Sequence, residues 1–502
     1  MNTDAPTLDL IEARERVLNV GRKLHKWASD DAERRFRDLW NLVCDPATLA
    51  VAWSRVSQNK GSRTAGIDGT TRYHIEHRHG VEPFLAELRS ELRSGRFRPV
   101  PVRERAIPKR GGKLRYLGIP TLRDRVVQMA LKLVLEPIFE ADFYPSSYGY
   151  RPARRAHDAI AEIVHFAQDP SAYEWIVEAD IEACFDRIDH GQLMAEVSRR
   201  IGDRRVLALV RAFLRAGVMR ENGRFERTVT GTPQGGIISP LLANIALTAL
   251  DRRYAADWAA MSRYRGLRQY LRRKGQPTYR LVRFADDLVV LVKGTREQAE
   301  ALLGQLSERI ESIGLHLKPE KTGLAHIDAG FVFLGVRIVR KPKGHRRPVF
   351  PHPSDEALAS VKRRVKTLTG RSTTSLDLAS LLRNLNPVLR GWAAYFRWTA
   401  AKRTFAYLGY YAWWRVIRWL RKKHPRLTWK QVRRRYYGKD RIRAGGLILY
   451  NPATMRILRY RHRGQFIPDP WAAASADQAP WRHRRASSGD PAFLGWLAEA
   501  LA

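Results

Sequence analysis

Tyr279-Arg280-Leu281-Val282-Arg283-Phe284-Ala285-Asp286-Asp287-Leu288-Val289-Val290-Leu291-Val292 sets an adjacent acidic pair between two apolar runs. The pattern predicts a β-hairpin with Asp286 and Asp287 at its tip. Neighbouring side chains on a strand point to opposite faces. A tight turn therefore lets both carboxylates serve one site, or sets one toward a cation while the other buttresses it. Two like charges held this close are costly unless cations neutralise them. An Asp-Asp pair at a hairpin turn is also ordinary surface chemistry, so the meaning of the pair depends on what else the chain brings to it.

A second carboxylate setting lies upstream. Tyr173-Glu174-Trp175-Ile176-Val177-Glu178-Ala179 reads as a hydrophobic strand ending in Asp180, followed by Ile181-Glu182-Ala183-Cys184-Phe185-Asp186. A carboxylate at such a strand end faces a cleft. Phosphoryl transfer from a nucleoside triphosphate uses two divalent ions roughly 3.5–4 Å apart, held by hard oxygen ligands from different strands. Asp180 with Asp286 and Asp287 meets that requirement. Mg²⁺ suits carboxylates and phosphates, and Mn²⁺ suits the same ligands.

Two further stretches offer contacts to a nucleotide. Ala106-Ile107-Pro108-Lys109-Arg110-Gly111-Gly112-Lys113-Leu114-Arg115 reads as two strands joined at a glycine turn. Folded down, that turn sets Lys109 and Arg115 against phosphate oxygens, whereas a purely solvated basic turn has the same composition. Gly231-Thr232-Pro233-Gln234-Gly235-Gly236-Ile237-Ile238-Ser239-Pro240 is a polar loop entering a helix. It either lays backbone amides and Gln234 beside a nucleotide or template, or simply starts a helix.

Charge supports a polyanionic partner. The 502 residues carry 90 Lys and Arg against 50 Asp and Glu, a formal net charge of +40, well beyond what solubility requires. Residues 341–450 hold 27 Lys or Arg and four Asp or Glu. Interleaved there are Trp392, Tyr395, Phe396, Trp413, Trp414 and Trp419, which read mainly as the core of basic helices, with base stacking as the alternative. Cys44 and Cys184 are the only cysteines. They form no CxxC pair, which argues against a disulfide framework or a cysteine-rich zinc site and implies a reducing compartment. His157, His190 and His316 read as structural or surface residues. The N-terminus lacks the basic-then-apolar form of a signal peptide and no window is apolar enough to span a bilayer, so a cytoplasmic protein without membrane association is expected.

The length favours roughly two to four folding units. Helical spacing over residues 5–57 predicts an N-terminal extension, residues 1–57. The loop Asn59 to Gly69 follows as a phosphate contact or a linker. A helix is predicted over 79–95, another from Thr121 to Phe139, further helical segments around 188–215 and 239–260, and a capped helix from Thr295 to about Ser312. Strands and helices mixed in this way indicate α+β. Beyond about 354 strand signals largely vanish, with Gly391, Gly409 and Pro425 as punctuation among amphipathic helices. Residues 469–490 read as a loose tail before a short apolar end, Phe493 to Leu501.

The ordered blocks resemble reverse transcriptases encoded by bacterial group II introns, over roughly residues 50–450. Asn59 to Gly69 looks like the family's extra N-terminal block, and PKRGGKLRYLGIPTLRDRVVQ like its first polymerase block. Ser147-Tyr148-Gly149-Tyr150-Arg151-Pro152 matches the next. Gly231 to Asn244 matches its PQGG signature, and Phe284-Ala285-Asp286-Asp287 its tyrosine-alanine-aspartate-aspartate box with Phe for Tyr. Gly314-Leu315-His316-Leu317-Lys318 and Phe333-Leu334-Gly335 look like later blocks, and LNPVLRGWAAYF, residues 385–396, like the thumb and maturase region.

The resemblance implies an α+β, right-hand polymerase fold. Fingers and palm would occupy residues 58–353, a helical thumb and maturase domain 354–450, and a basic C-terminal segment with residual DNA-binding character 451–502. It implies Asp180, Asp286 and Asp287 as catalytic residues, with the Ile181 backbone joining them around two Mg²⁺ ions. Lys109, Arg115, Phe185 and Gln234 would meet the nucleotide, Phe185 excluding a ribose 2′-hydroxyl by contact. Arg63, Arg151, Lys318, Arg390, Arg397 and Arg415 would meet template, primer or RNA. Partners would be the intron RNA, an RNA template with its DNA primer, target DNA and dNTPs, with monomer and homodimer both open. Some members add a metal-dependent endonuclease with paired cysteines, and this chain has no cysteine after Cys184. The competing readings are a reverse transcriptase whose template is not an intron, and an RNA-binding splicing factor with little synthesis.

Overall fold

The computed structural model describes residues 9–108, 114–341, 347–438, 441–464 and 467–471. At its centre is an open four-stranded antiparallel sheet in the order Thr278–Phe284, Asp287–Lys293, Trp175–Asp180, Gly323–His326. The hairpin and the Asp180 strand predicted from sequence are its three leading strands.

Period-two alternation sends Val177, Ala179, Leu288, Val290 and Val292 to one core and Ile176, Val282, Val289 and Leu291 to another. Both faces are thus covered, which is why these strands read as continuous apolar runs rather than as alternating ones. The first face packs against helices including Ser239–Met261 and Arg296–Glu311. The expected capping box forms between Thr295 and Gln298.

Helices Leu10–Asp30 and Pro46–Gln58 pack on Leu122–Glu140 and share the main core through Leu24, Val56 and Leu131. The N-terminal region is helical, as expected, and is built into the body of the protein. A second open sheet pairs Leu114–Ile119 with Val102–Pro108, and then with two short strands, Val218–Met219 and Phe225–Glu226. A third joins Val349–Pro353, Val336–Arg340 and Phe331–Phe333.

After Ser354, which caps Asp355–Leu368, helices Leu378–Phe396 and Lys402–Lys423 enclose a separate core containing Val365, Leu385, Leu389, Leu408, Val416 and Trp419. Two expectations fail in this region. Strands do return, as a small sheet of Tyr437–Gly438, Arg441–Ala444 and Leu447–Ile448. Gly391 and Gly409 lie inside helices rather than ending them. A Cβ on Gly409 would collide with the Asn451 side chain, so its glycine admits a crossing turn. Of the aromatics, Phe396 and Trp419 are buried and Trp392 and Trp413 partly so, while Tyr395 and Trp414 are exposed.

The C-terminal segment is anchored up to Trp471, against the reading of a loose tail from 469. Arg463 pairs with Asp158 at 2.6 Å, Asp469 with His25 at 2.7 Å, and Trp471 stacks on His25. Residues 472–490 and the apolar end at 493–501 lie outside the described residues. Among the described residues no helix is long and apolar enough to cross a membrane.

Candidate active site

Strand register delivers the carboxylates. Asp180 stands directly across the ladder from Asp287, which pairs on its other side with Phe284. Asp286 sits in the turn after Ala285, whose φ of 58° makes the left-handed bend. The Ile181 N–H donates to the Asp286 carbonyl at 3.4 Å and the Lys318 N–H to the Asp180 carbonyl at 2.8 Å.

The turn rests on a buried ion pair. Arg283 and Asp251 are both fully buried and bonded to each other. The same guanidinium donates to Asn244 Oδ1 at 3.0 Å, Ser147 Oγ at 2.7 Å and the Ala285 carbonyl at 3.0 Å. One side chain thereby ties the hairpin to the 239–261 helix and to the 147–152 block. Gly149 completes the joint, because a Cβ there would collide with the Ala285 backbone. Sequence reasoning passed over Arg283, although a charge within an apolar strand was the available signal.

Asp180, Ile181 and Asp286 line a cleft of about 750 Å³ with Arg115, Tyr150, Phe185, Gln234, Lys318 and Lys321. Asp287 is not on the cleft lining and sits behind, across from Asp180. Arg115 Nε donates to Gln234 Oε1 at 2.9 Å, and Gln234 Nε2 donates to Asp186 Oδ2 at 2.8 Å. This chain of contacts links the basic strand pair, the 231–239 loop and the segment after Asp180. Phe185 meets the Tyr150 ring edge-on at 6.1 Å. Lys321, on the turn Pro319–Lys321, reaches Asp180 Oδ2 at 2.6 Å. It is a site residue the sequence reading missed; a second lysine three positions after Lys318 was the signal.

Electrostatics mark the same place. Burial, and then repulsion from Asp180, raise the Asp286 pKa, opposed by Lys321 and Arg115. Burial, and then Asp286 and Asp180, push Asp287 up to about 6. The hydrogen bond to Asp180 raises Lys321. Cys184 is pushed up to about 12, chiefly by burial, which keeps it a thiol.

Among the described residues no three His, Cys, Asp or Glu side chains close into a cation cage. The donor chemistry nonetheless fits a divalent ion. Hard oxygens from two chain segments repel one another, and a cation is the usual relief; here the Lys321 ammonium provides it.

The remaining predicted contacts divide. Lys109 lies outside the described residues. Arg63 is exposed, on the turn Lys60–Arg63. The loop that carries it is pinned by Arg125, which donates to the carbonyls of Gly61 and Thr64 at 2.7 and 2.9 Å. Arg151 is a correction: it is buried, pairs with Glu140 at 2.6 Å and donates to the carbonyls of Tyr144 and Ser147. A guanidinium so enclosed holds the chain together and has no surface for RNA. Arg415 is engaged likewise with Thr369 and the Lys366 carbonyl, capping the end of helix Asp355–Leu368. Arg390 is exposed and stacks over Tyr450 at 5.2 Å, and Arg397 is half-buried at the end of helix Leu378–Phe396. His157 packs among Tyr395, Trp398 and Tyr460, and His190 meets the Gly231 carbonyl, both in structural roles.

Residues 107–338 match the family model described as reverse transcriptase (RNA-dependent DNA polymerase), which covers the sheet, the hairpin and the cleft. Residues 358–437, the helical region, match the model described as the group II intron maturase-specific domain. Protein YkfC of Escherichia coli is 40% identical over 359 residues, 68% of this chain and 93% of that protein. The group II intron-encoded protein LtrA of Lactococcus lactis is 32% identical over 362 residues, 63% of this chain and 59% of that protein. An uncharacterized 91 kDa protein in the cob intron of Schizosaccharomyces pombe is 31% identical over 360 residues, 62% of this chain and 43% of that protein. The chain belongs to the group II intron-encoded reverse transcriptase and maturase family.

Proposed function

We propose that the protein is an RNA-directed DNA polymerase that also binds its intron RNA, assisting splicing and the return of the intron to target DNA. The observation that carries this reading is the register. Asp180 faces Asp287 across one ladder, while Asp286 at the turn opens on the same cleft as Arg115, Phe185 and Gln234. In this reading residues 58–353 are fingers and palm, 354–450 the thumb and maturase domain, and 451–502 a basic segment that meets DNA.

Asp180, Asp286 and the Ile181 carbonyl on the cleft would hold Mg²⁺, with Asp287 joining them from behind the lining. When bound, the ions supply charge neutralisation at the attacking and leaving oxygens of nucleotidyl transfer. The chain's own residues do the positioning. Arg115, held by Gln234, meets phosphate oxygens of the dNTP, and Lys109 joins it in that role on the reading of the sequence. Phe185 and Tyr150 form an aromatic corner where a ribose 2′-hydroxyl collides and a deoxyribose fits. Lys318, Arg63, Arg390 and Arg397 offer cations to the template, primer or RNA. RNA duplexes are recognised mainly through phosphates, shape and 2′-hydroxyls, which suits a surface this basic.

The test is addition of dNTPs to a DNA primer annealed to RNA in Mg²⁺, read for the wild type, Asp180→Ala and Phe185→Ala. Extension by the wild type, its loss in Asp180→Ala and a gain of rNTP incorporation in Phe185→Ala are expected. No extension by any of them on varied templates would leave RNA binding and splicing assistance as the activity.

A further inference from the structure

A second polar pocket lies at the other end of the Asp180 strand. It has a volume of about 310 Å³ and is lined by Ser171, Tyr173, Tyr264, Arg265, Arg268 and Arg272 among others, none of them acidic. Its cations come from Ser262 to Lys274, a basic segment between helix Ser239–Met261 and the first strand of the hairpin. Tyr173 precedes strand Trp175–Asp180. At about 3.3 Å of rise per residue, the seven residues from Tyr173 to Asp180 put the pocket roughly 20 Å from the reaction centre.

Three observations make this a built site. Arg268 and Arg272 are half-buried and Arg265 is exposed, and none of the three has a carboxylate partner among the described residues, whereas half-buried Arg252, Arg280 and Arg309 each have one. Arg268 and Arg272 are nonetheless held in place. Arg268 stacks over Trp258 at 4.5 Å and donates to Ser262 Oγ at 2.8 Å; Arg272 stacks over Tyr173 at 5.2 Å and donates to Thr278 Oγ1 at 2.8 Å. Finally, Tyr173 is 1% exposed and its hydroxyl is buried with no hydrogen-bond partner. A buried hydroxyl left unmet is destabilising, so a group that satisfies it belongs nearby.

The geometry points to a phosphate-binding site, occupied by a backbone phosphate of the RNA partner held at a distance from the cleft. Forked guanidiniums and a phenol hydroxyl are matched donors for phosphate oxygens. The site rests on the reading that the chain works on RNA and adds where that RNA is gripped.

The experiment measures affinity for a labelled RNA hairpin across a salt series, with inorganic phosphate as a second probe. The wild type, Tyr173→Phe, and Arg265→Ala combined with Arg268→Lys are compared. Each variant should bind the hairpin about tenfold more weakly. The arginine variant should also flatten the slope of log affinity against log salt by about one unit. Tyr173→Phe should keep or raise the melting temperature, since it removes an unmet hydroxyl. Unchanged hairpin affinity in both variants would overturn the site, as would a melting-temperature loss in Tyr173→Phe large enough to account for its weaker binding. Inorganic phosphate binding that the variants abolish, with hairpin affinity unchanged, would assign the pocket to free phosphate and overturn the RNA assignment. Primer extension by the wild type is scored in parallel. Its failure strikes the polymerase reading alone, and unchanged hairpin binding in the variants strikes this one alone.

Discussion

The sheet around Asp180 and the helical region after Ser354 handle charge in opposite ways. In the sheet region, charges are taken inside and paired: Arg283 with Asp251, Arg151 with Glu140, Arg280 with Glu162. In the helical region the core is apolar, and cations such as Arg390, Arg403 and Arg418 stand on the surface. Buried pairs contribute little net stability but fix where backbones meet, and breaking one strands a charge in low dielectric. Exposed cations hold no geometry and attract polyanions over a surface. The sheet region uses charge to position atoms, and the helical region presents it as an open basic surface.

The largest effect that would break this contrast is at the cleft. Asp180→Ala should lower primer extension by at least about 10³-fold, the loss of several kcal/mol of charge stabilisation, with thermal stability unchanged or raised. Next, Asp251→Ala should destabilise the protein by about 3–5 kcal/mol in denaturant unfolding, because it leaves Arg283 buried and unpaired. Combined neutralisation of Arg390, Arg403 and Arg418 to Gln should change stability by less than about 0.5 kcal/mol each while flattening the salt dependence of RNA binding. If the surface triple unfolded the protein and Asp251→Ala did not, the division of labour would be reversed.

A smaller effect sharpens the picture through pH. Asp287 has its folded-state pKa raised to about 6, so the folded chain binds that proton more tightly than the unfolded chain. This contribution to stability is fully present below the ordinary carboxylate pKa and is lost as pH rises through about 6. Without divalent ions, Asp287→Asn should therefore raise stability above pH 6 by about 1–3 kcal/mol and change little near pH 4. Equal melting temperatures for the two proteins at pH 8 in chelator would contradict the repulsion described here.

The same contrast explains what was legible in the sequence. The hairpin, the Asp180 strand and the helix starts at Thr121 and Thr295 follow from local rules of periodicity, turns and caps, and the sequence carries them openly. The joint beneath the hairpin does not. Arg283, Asp251, Ser147, Asn244 and Gly149 come from three separate stretches and meet only when the chain has folded. Arg151 is an RNA contact only on the family resemblance, and nothing local in the sequence names Glu140 as its partner. The short strands at 437–448 escaped for a related reason. Their two- to four-residue lengths are set by pairing with one another and by packing against helix Leu378–Phe396, not by an apolar run.

The most direct test of the central claim is a paired measurement on a single preparation of Asp286→Ala beside the wild type at matched salt. It reads extension of a DNA primer on RNA with dNTPs and Mg²⁺, together with the dissociation constant for structured RNA. The account predicts that extension disappears while RNA affinity stays within about twofold, since Asp286 serves the cleft and the surface cations serve the grip. Extension that persists in Asp286→Ala, or RNA affinity that collapses with it, would contradict the assignment of synthesis and grip to separate sets of residues.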